Sequence, residues 1–166
     1  MRSEIAGRAD ALTASRTAYA VATVVRRQRP SSVRPGDSAI VLPDGTIDGF
    51  VGGACAEDSV RMHALRVLET GEPLLLRIVP GPDQAPAQEG AVTVANPCLS
   101  GGALEIFIEP HLPAPRLAIV GDTPIARALG RLAGEVGFDP ALYPEGDVVV
   151  HGDDAAVVVA SHGHGE

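Results

Sequence analysis

Two segments of the chain combine a cysteine with paired glycines. Such a combination can present backbone N–H groups and a thiolate to one ligand. In the first, Gly52 and Gly53 shortly precede Cys55, between a predicted strand and a predicted helix. The free N–H groups and the positive dipole end of a helix favour an anion there and stabilise a thiolate at Cys55. The alternative is structural: the glycines permit a tight turn, and the cysteine is a small apolar residue.

The second segment repeats the combination, because Cys98 is followed by Gly101, Gly102 and a predicted strand. If both cysteines face one cavity, two soft thiolates suit a soft metal centre. The sequence has no Cys-x-x-Cys pair, and the histidine nearest to Cys55 is His63, two helical turns away. This spacing argues against a structural zinc site.

An arginine-rich segment precedes both glycine segments. Residues 26–34 hold four of the 13 basic residues, Arg34 among them, and they also contain Ser31 and Ser32. Guanidinium and hydroxyl groups together suit the recognition of phosphate or carboxylate. The alternative is a solvated connection between two strands.

A third glycine motif begins at Gly121, where a predicted strand leads into a predicted helix, as in a dinucleotide-binding fingerprint. Thr123 stands where that fingerprint requires a glycine for close approach of the pyrophosphate. The next strand ends in Tyr143 and Pro144 rather than in an acid that could hold a ribose hydroxyl. The motif therefore predicts a Rossmann-type scaffold and disfavours NAD(P) as a cofactor.

Composition excludes several classes of function. The 166 residues carry 13 basic and 21 acidic side chains, a formal net charge of −8, which disfavours nonspecific binding of nucleic acid. No apolar stretch is long enough to cross a membrane, and the first residues lack the apolar core of an export signal. Two cysteines are too few for a disulfide framework, so we expect a cytoplasmic protein with reduced thiols.

Apolar spacing and turn residues predict the elements that must position these groups. Segment 57–70 places Val60, Ala64 and Val67 at helical spacing, and segment 102–109 alternates apolar and acidic side chains as a half-buried strand does. An Asp-Gly turn joins segments 38–42 and 46–51 into a predicted hairpin. We expect helices at 3–15, 57–70 and 124–136, and strands at 18–25, 38–42, 46–51, 74–79, 91–95, 102–109, 117–120, 140–143 and 155–160.

The predicted fold class is α/β with two domains. Residues 1–109 are expected to form a mixed β-sheet with flanking helices, and three prolines at 110–115 mark a linker. Residues 116–166 are expected to form a partial Rossmann-like parallel βαβ unit, because a complete doubly wound domain needs two βαβαβ halves.

In this order and spacing, the motifs resemble the XdhC/CoxI family, accessory proteins of molybdenum hydroxylases such as xanthine dehydrogenase and carbon monoxide dehydrogenase. Residues 117–133 and 157–162 resemble the family's Rossmann-like C-terminal domain, whose sheet continues further in longer relatives. The N-terminal domain of the family is matched by 22–25, 30–36, 43–49 and 52–57, and its close by Cys98, Gly101, Gly102 and 107–110.

The resemblance implies a maturation factor that binds the molybdenum cofactor (molybdopterin) as cargo. It implies protection of the cofactor while a cysteine desulfurase installs its terminal sulfur, and then transfer to an apo molybdenum hydroxylase. A homodimer that completes the short C-terminal sheet is a further hypothesis. Cofactor contacts are assigned to Ser31, Ser32, Arg34, Gly52, Gly53, Cys55, Cys98, Gly101, Gly102 and Gly121, with Cys55 or Cys98 meeting the metal or its sulfur.

Two other classes of function remain open from the sequence. One is an NAD(P)-dependent oxidoreductase or nucleotide-binding regulatory protein that uses residues 121–126. The other is a regulatory partner that docks on a hydroxylase and binds no small molecule. No acid–base pair and no Ser-His-Asp arrangement can be argued from the spacing, so a carrier is favoured over an enzyme.

Overall fold

A computed structural model of the chain describes residues 3–81, 90–96, 102–144, 149–152 and 154–160. They form two compact units, Met1–Pro113 and Ala114–Glu166, each taken here by itself. The elements are α1 (Ser3–Ala14), β1 (Tyr19–Arg27), β2 (Ser38–Val41), β3 (Ile47–Gly49), α2 (Ala54–Thr70), β4 (Leu74–Pro80), β5 (Val92–Asn96), β6 (Leu104–His111), β7 (Arg116–Val120), α3 (Pro124–Glu135), β8 (Asp139–Tyr143) and β9 (Asp154–Val159).

The first unit is built on a six-stranded mixed sheet in the order β3-β2-β1-β6-β4-β5. Only β4 and β5 pair in parallel, and the other four pairings are antiparallel. The predicted hairpin is confirmed as β2 and β3, closed by Gly45 at φ 82° in the Asp-Gly turn. The mixed α/β class predicted from the sequence is therefore confirmed.

One helix covers each face of this sheet, as the alternation of strand side chains requires. On one face, Ile5, Ala9 and Leu12 of α1 pack with Tyr19, Val21 and Ile40. On the other face, α2 packs its buried stripe against alternate residues of β1, β4 and β6. That larger cluster includes Val60, Ala64, Val67, Ala20, Ala22, Val24, Leu76, Ile78, Leu104, Ile106 and Ile108.

Helix α2 begins three residues before the predicted start at Glu57, with Gly53 as its N-cap. Its end is as predicted, because Gly71 adopts φ 71° and donates its N–H to the carbonyl oxygen of Val67. Strand β6 continues to His111, two residues into the predicted linker.

The second unit is a three-stranded parallel sheet in the order β8-β7-β9. Leu117 and Ile119 of β7 pack against Ala126 and Ala133 of α3, so the predicted parallel βαβ arrangement is present. None of the helices in the part of the chain that the structure describes is long and apolar enough to cross a membrane.

Candidate functional site

A cavity of about 580 Å³ opens at the N-terminal end of α2 and is called the glycine cavity below. Three separate segments form its wall: the loop after β1, the turn into α2, and the start of β6. Its lining consists of Pro30, Ser31, Ser32, Gly52, Gly53, Ala54, Cys55, Ala56, Ile78, Gly102 and Leu104.

This cavity brings together six of the ten residues assigned to cofactor contacts from the sequence: Ser31, Ser32, Gly52, Gly53, Cys55 and Gly102. Cys98 and Gly101 lie outside the described residues. Gly121 belongs to the second unit, and Arg34 does not line the cavity. Ser31 and Gly102 are more than 70 residues apart in the chain. They line the same cavity because the sheet sets the start of β6 beside the end of β1.

Arg34 is directed elsewhere by a local turn. Its backbone N–H donates to the Oδ2 atom of Asp37 at 2.9 Å, and the N–H of Asp37 returns to the Arg34 carbonyl at 3.0 Å. The turn leaves the Arg34 side chain exposed and buries Asp37. The sequence grouping of Arg34 with Ser31 and Ser32 reflected closeness along the chain, not a shared wall.

The start of α2 offers backbone N–H groups to the cavity. Its N-cap Gly53 provides no side-chain cap, and its carbonyl accepts the N–H groups of Ala56 and Glu57 at 2.8 and 3.1 Å. The N–H groups of Ala54 and Cys55 precede these first helical bonds and belong to the set that an α-helix cannot satisfy internally. An anion is favoured at this end, although the acidic Glu57 in the first turn offsets part of the helix dipole.

Two glycines are required by the shape of the cavity wall. Gly52 has φ 141°, and a Cβ atom there would lie 2.8 Å from the Cβ atom of Ala56. At Gly102 a Cβ atom would lie 2.0 Å from the carbonyl oxygen of Pro30. Gly53 differs, because nothing lies within 4 Å of a Cβ atom built on it. Gly52 and Gly102 therefore let neighbouring parts of the chain approach closely, whereas Gly53 borders open space.

The loop after β1 that contains Ser31 and Ser32, called the serine loop below, is anchored to the end of β1. The Nη1 atom of Arg27 donates to the Ser31 carbonyl oxygen at 2.9 Å, while Val33 is fully buried. These two anchors leave Ser31 half-buried and Ser32 exposed, both at the cavity wall. Their hydroxyls can donate to or accept from a polar guest.

Cys55 lies in the first turn of α2, is exposed, and is disulfide-bonded. The expectation of a reduced thiol at this position is therefore wrong for this structure. A disulfide sulfur cannot act as a thiolate ligand, so contact between Cys55 and a metal requires prior reduction of the bond.

His63 is the buried polar residue of α2, with a side chain 7% exposed. Neither of its ring nitrogens has a hydrogen-bond partner. Burial, and secondarily the positive charge of Arg66, lower the pKa of His63 below its ordinary value. The ring is therefore neutral at physiological pH, and His63 does not line the glycine cavity. Among the described residues, no three His, Cys, Asp or Glu side chains are grouped as metal ligands.

In the second unit, polar groups of the motif at residues 121–126 form hydrogen bonds within the protein. The Thr123 hydroxyl accepts the N–H of Ala126 at 3.0 Å and donates to the Ala160 carbonyl at 2.8 Å. Gly121, at φ 123°, donates its N–H to the Tyr143 carbonyl. One of the N–H groups at the start of α3 that a pyrophosphate could use is thus already satisfied by a side chain.

Comparison with known proteins gives three findings. The profile of the XdhC and CoxI family matches residues 12–79. YqeB of Escherichia coli K12, an uncharacterised protein, is 29% identical over 153 residues, which are 85% of this chain and 27% of that protein. A solved structure described as a xanthine dehydrogenase from Bacillus halodurans covers 93% of this chain and 67% of its own, with a TM-score of 0.48 and 15% identity.

The chain thus spans about a quarter of the length of the curated relative that it matches. The structural likeness, at a TM-score of 0.48, adds no argument about function. The family match covers the serine loop, the turn into α2 and the start of α2, which together supply most of the residues that line the glycine cavity. Residues 12–79 thus match the XdhC and CoxI family, and the motifs predicted in that segment are in place.

Proposed function

We propose that this chain is the cofactor-binding part of a maturation factor for molybdenum hydroxylases of the xanthine dehydrogenase or carbon monoxide dehydrogenase type. In this role it holds the molybdenum cofactor in the glycine cavity while a cysteine desulfurase installs the terminal sulfur. It then transfers the cofactor to the apo-hydroxylase. The family match over residues 12–79 supports the broad role, and the glycine cavity supports the choice of ligand.

The observation that carries the proposal is the convergence of three distant segments on one cavity at an uncapped helix N-terminus. A pyranopterin cofactor presents anionic and polar groups at one end and a soft metal centre bound by sulfur at the other. Backbone N–H groups at Ala54 and Cys55, with the hydroxyls of Ser31 and Ser32, match the polar groups. The sulfur of Cys55, once reduced, matches the soft centre.

A carrier needs affinity and protection rather than turnover. Ile78 and Leu104 form the buried floor of the cavity, so part of the guest lies against apolar side chains and away from water. Glycine at positions 52 and 102 lets the backbone come close on two sides. These features suit the holding of a flat guest, and they supply no general acid or base to transform it.

Self-association through the second unit is part of the proposal. Strand β9 is an edge of its sheet, and Val157 and Val159 on it are 44% and 67% exposed. An exposed apolar edge strand is a template for pairing with another chain. We expect a homodimer by size-exclusion chromatography with light scattering, and a monomer at all concentrations would contradict this part.

The proposal is tested by transfer. The reduced chain is loaded with cofactor anaerobically and mixed with an apo-hydroxylase, and recovery of hydroxylase activity is compared with that given by free cofactor. We expect more complete recovery with the loaded chain. A chain that co-purifies with the hydroxylase but never carries pterin would contradict the proposal and favour a purely regulatory partner.

A further inference from the structure

The backbone of the serine loop is held by an arginine side chain at the end of β1. Arg27, the last residue of that strand, donates from its Nη1 atom to the carbonyl oxygen of Ser31 at 2.9 Å. A hydrogen bond from a charged donor is stronger than one between neutral groups. The contact therefore ties the Ser31 backbone to the end of the strand.

A second contact fixes the hydroxyl group of the same serine. The Oγ atom of Ser31 accepts the N–H of Val33 at 3.4 Å, in a turn that serine side chains often form two residues along the chain. Val33 is fully buried in the core of the first unit, so its backbone is not free to shift. Both the carbonyl oxygen and the hydroxyl oxygen of Ser31 thus have fixed donors.

This arrangement leaves the hydroxyl proton of Ser31 for a ligand. A serine hydroxyl has one proton to donate and two lone pairs that accept. The N–H of Val33 occupies one lone pair, so the proton can be donated to an acceptor in the glycine cavity, which Ser31 lines. Ser32 also lines the cavity, but it is exposed, and water competes for its hydroxyl.

Arg27 acts on the glycine cavity only at a distance. It is not among the described residues that line that cavity, and it lines a separate one of about 220 Å³. The start of the loop is already fixed to β6, because the N–H of Gln28 donates to the Ala103 carbonyl at 2.7 Å. Any effect of Arg27 on a ligand therefore passes through Ser31, whose carbonyl it holds.

We propose that Arg27 is a positioning residue for the cofactor, and that Ser31 rather than Ser32 is the hydroxyl that recognises it. Ser31 donates to an acceptor oxygen at the polar end of the cofactor, and Arg27 keeps that donor in place. A donor that is oriented before binding loses less side-chain entropy than a freely rotating one. The identity of the ligand rests on the proposed function, whereas the control of Ser31 by Arg27 does not.

The first test measures the affinity of the reduced whole chain for the molybdenum cofactor under anaerobic conditions. Ser31→Ala should weaken binding about tenfold, as expected for loss of one hydrogen bond. Ser32→Ala is the matched control, and it should weaken binding less than about twofold, because water replaces an exposed hydroxyl. Equal losses in the two variants would overturn the assignment to Ser31.

A double-mutant cycle separates positioning from a general loss of stability. Arg27→Met should weaken binding about fivefold to tenfold, and Arg27→Lys should recover most of that loss, because an ammonium group can supply the one N–H that the contact uses. In the Arg27→Met chain, Ser31→Ala should have little further effect, since both changes remove the same contact. Losses that multiply in the double variant would overturn the proposal.

A measurement without cofactor tests Arg27 independently of the proposed function. Amide hydrogen exchange at Val33 should become about tenfold faster in Arg27→Met, because the loop opens more often. Arg26→Met is the matched control, since the Arg26 side chain is 74% exposed and lies near Glu105 instead; exchange at Val33 should not change there. Unchanged exchange in Arg27→Met would overturn the positioning role. If exchange changes as expected but the wild type binds no cofactor, Arg27 still positions Ser31 and the proposed function fails.

Discussion

Gly102 is the position where a single methyl group should damage both the fold and the glycine cavity. A Cβ atom there would lie 2.0 Å from the Pro30 carbonyl oxygen and 2.6 Å from that of Gln28. Real Cβ atoms essentially never lie closer than 3.0 Å to another such atom. In Gly102→Ala the backbone of residues 28–30 must therefore retreat by more than about 1 Å from the start of β6.

The cost follows from what this retreat breaks. The hydrogen bond from the Gln28 N–H to the Ala103 carbonyl, at 2.7 Å, closes the end of the β1–β6 ladder. Its loss costs about 1 kcal/mol, and overpacking against a rigid backbone costs about 1–3 kcal/mol. We expect the free energy of unfolding of the first unit to fall by about 2–4 kcal/mol. Ser31 and Ser32 move with the loop, so cofactor affinity should fall as well.

The assay is urea unfolding followed by the NMR signals of β1 and β6, which report the first unit alone. Gly53→Ala is the matched control in the same cavity wall, because no atom lies within 4 Å of its added methyl group and φ is −74°. As an N-cap change it should cost less than about 1 kcal/mol. Equal stability losses in Gly102→Ala and Gly53→Ala would refute the packing argument.

Three further outcomes are expected. The oxidised chain, with Cys55 in a disulfide, should bind the cofactor weakly and gain affinity on anaerobic reduction. Cys55→Ser should gain no affinity on reduction. Equal binding in both redox states of the wild type would contradict this. Burial keeps the folded pKa of His63 below 6.5, so the unfolded chain binds a proton first as pH falls, and the unfolding free energy should drop as the pH falls through 6.5. His63→Leu should flatten that drop in urea titrations from about pH 8 to pH 5, and an unchanged slope would count against it. Arg116→Met should destabilise the second unit by about 2–4 kcal/mol in thermal unfolding. The Asp154 carboxylate would lose its counter-charge, since its side chain is 1% exposed and lies 3.1 Å from the Arg116 Nε atom. A change within about 0.5 kcal/mol would show that the pair is not needed.

Local signals in the sequence predicted the elements well, because each was set by neighbours along the chain. The Asp-Gly turn fixed the hairpin, and the alternation of Leu104, Ile106 and Ile108 fixed the buried face of β6. The start of α2 was predicted three residues late. Apolar spacing detects a helix only where its side chains pack, and the first turn carries the exposed residues Ala54 and Cys55.

The site was predicted only in part, because its completion depends on strand order. The glycines and Cys55 singled out from the sequence line the glycine cavity, yet Arg34 was grouped with them by closeness in sequence and does not line it. Ile78 and Leu104, which also line the cavity, were not predicted as site residues. Nothing in the spacing of β4 indicates that it lies next to β6, and that pairing is what sets Ile78 beside Leu104. Non-local strand pairing is a property of the whole sheet, not of any segment.

The most direct test of cofactor binding in the glycine cavity is to block that cavity and count the bound cofactor. Gly53→Phe places a ring in the open space at the cavity wall. Gly7→Phe is the control, because Gly7 is exposed on α1 and nothing lies within 4 Å of a Cβ atom built on it. After anaerobic reconstitution of the reduced proteins, molybdenum and pterin are measured per chain. We predict about one of each in the wild type and in Gly7→Phe, and almost none in Gly53→Phe. Equal loading of all three proteins would contradict the glycine cavity as the binding site.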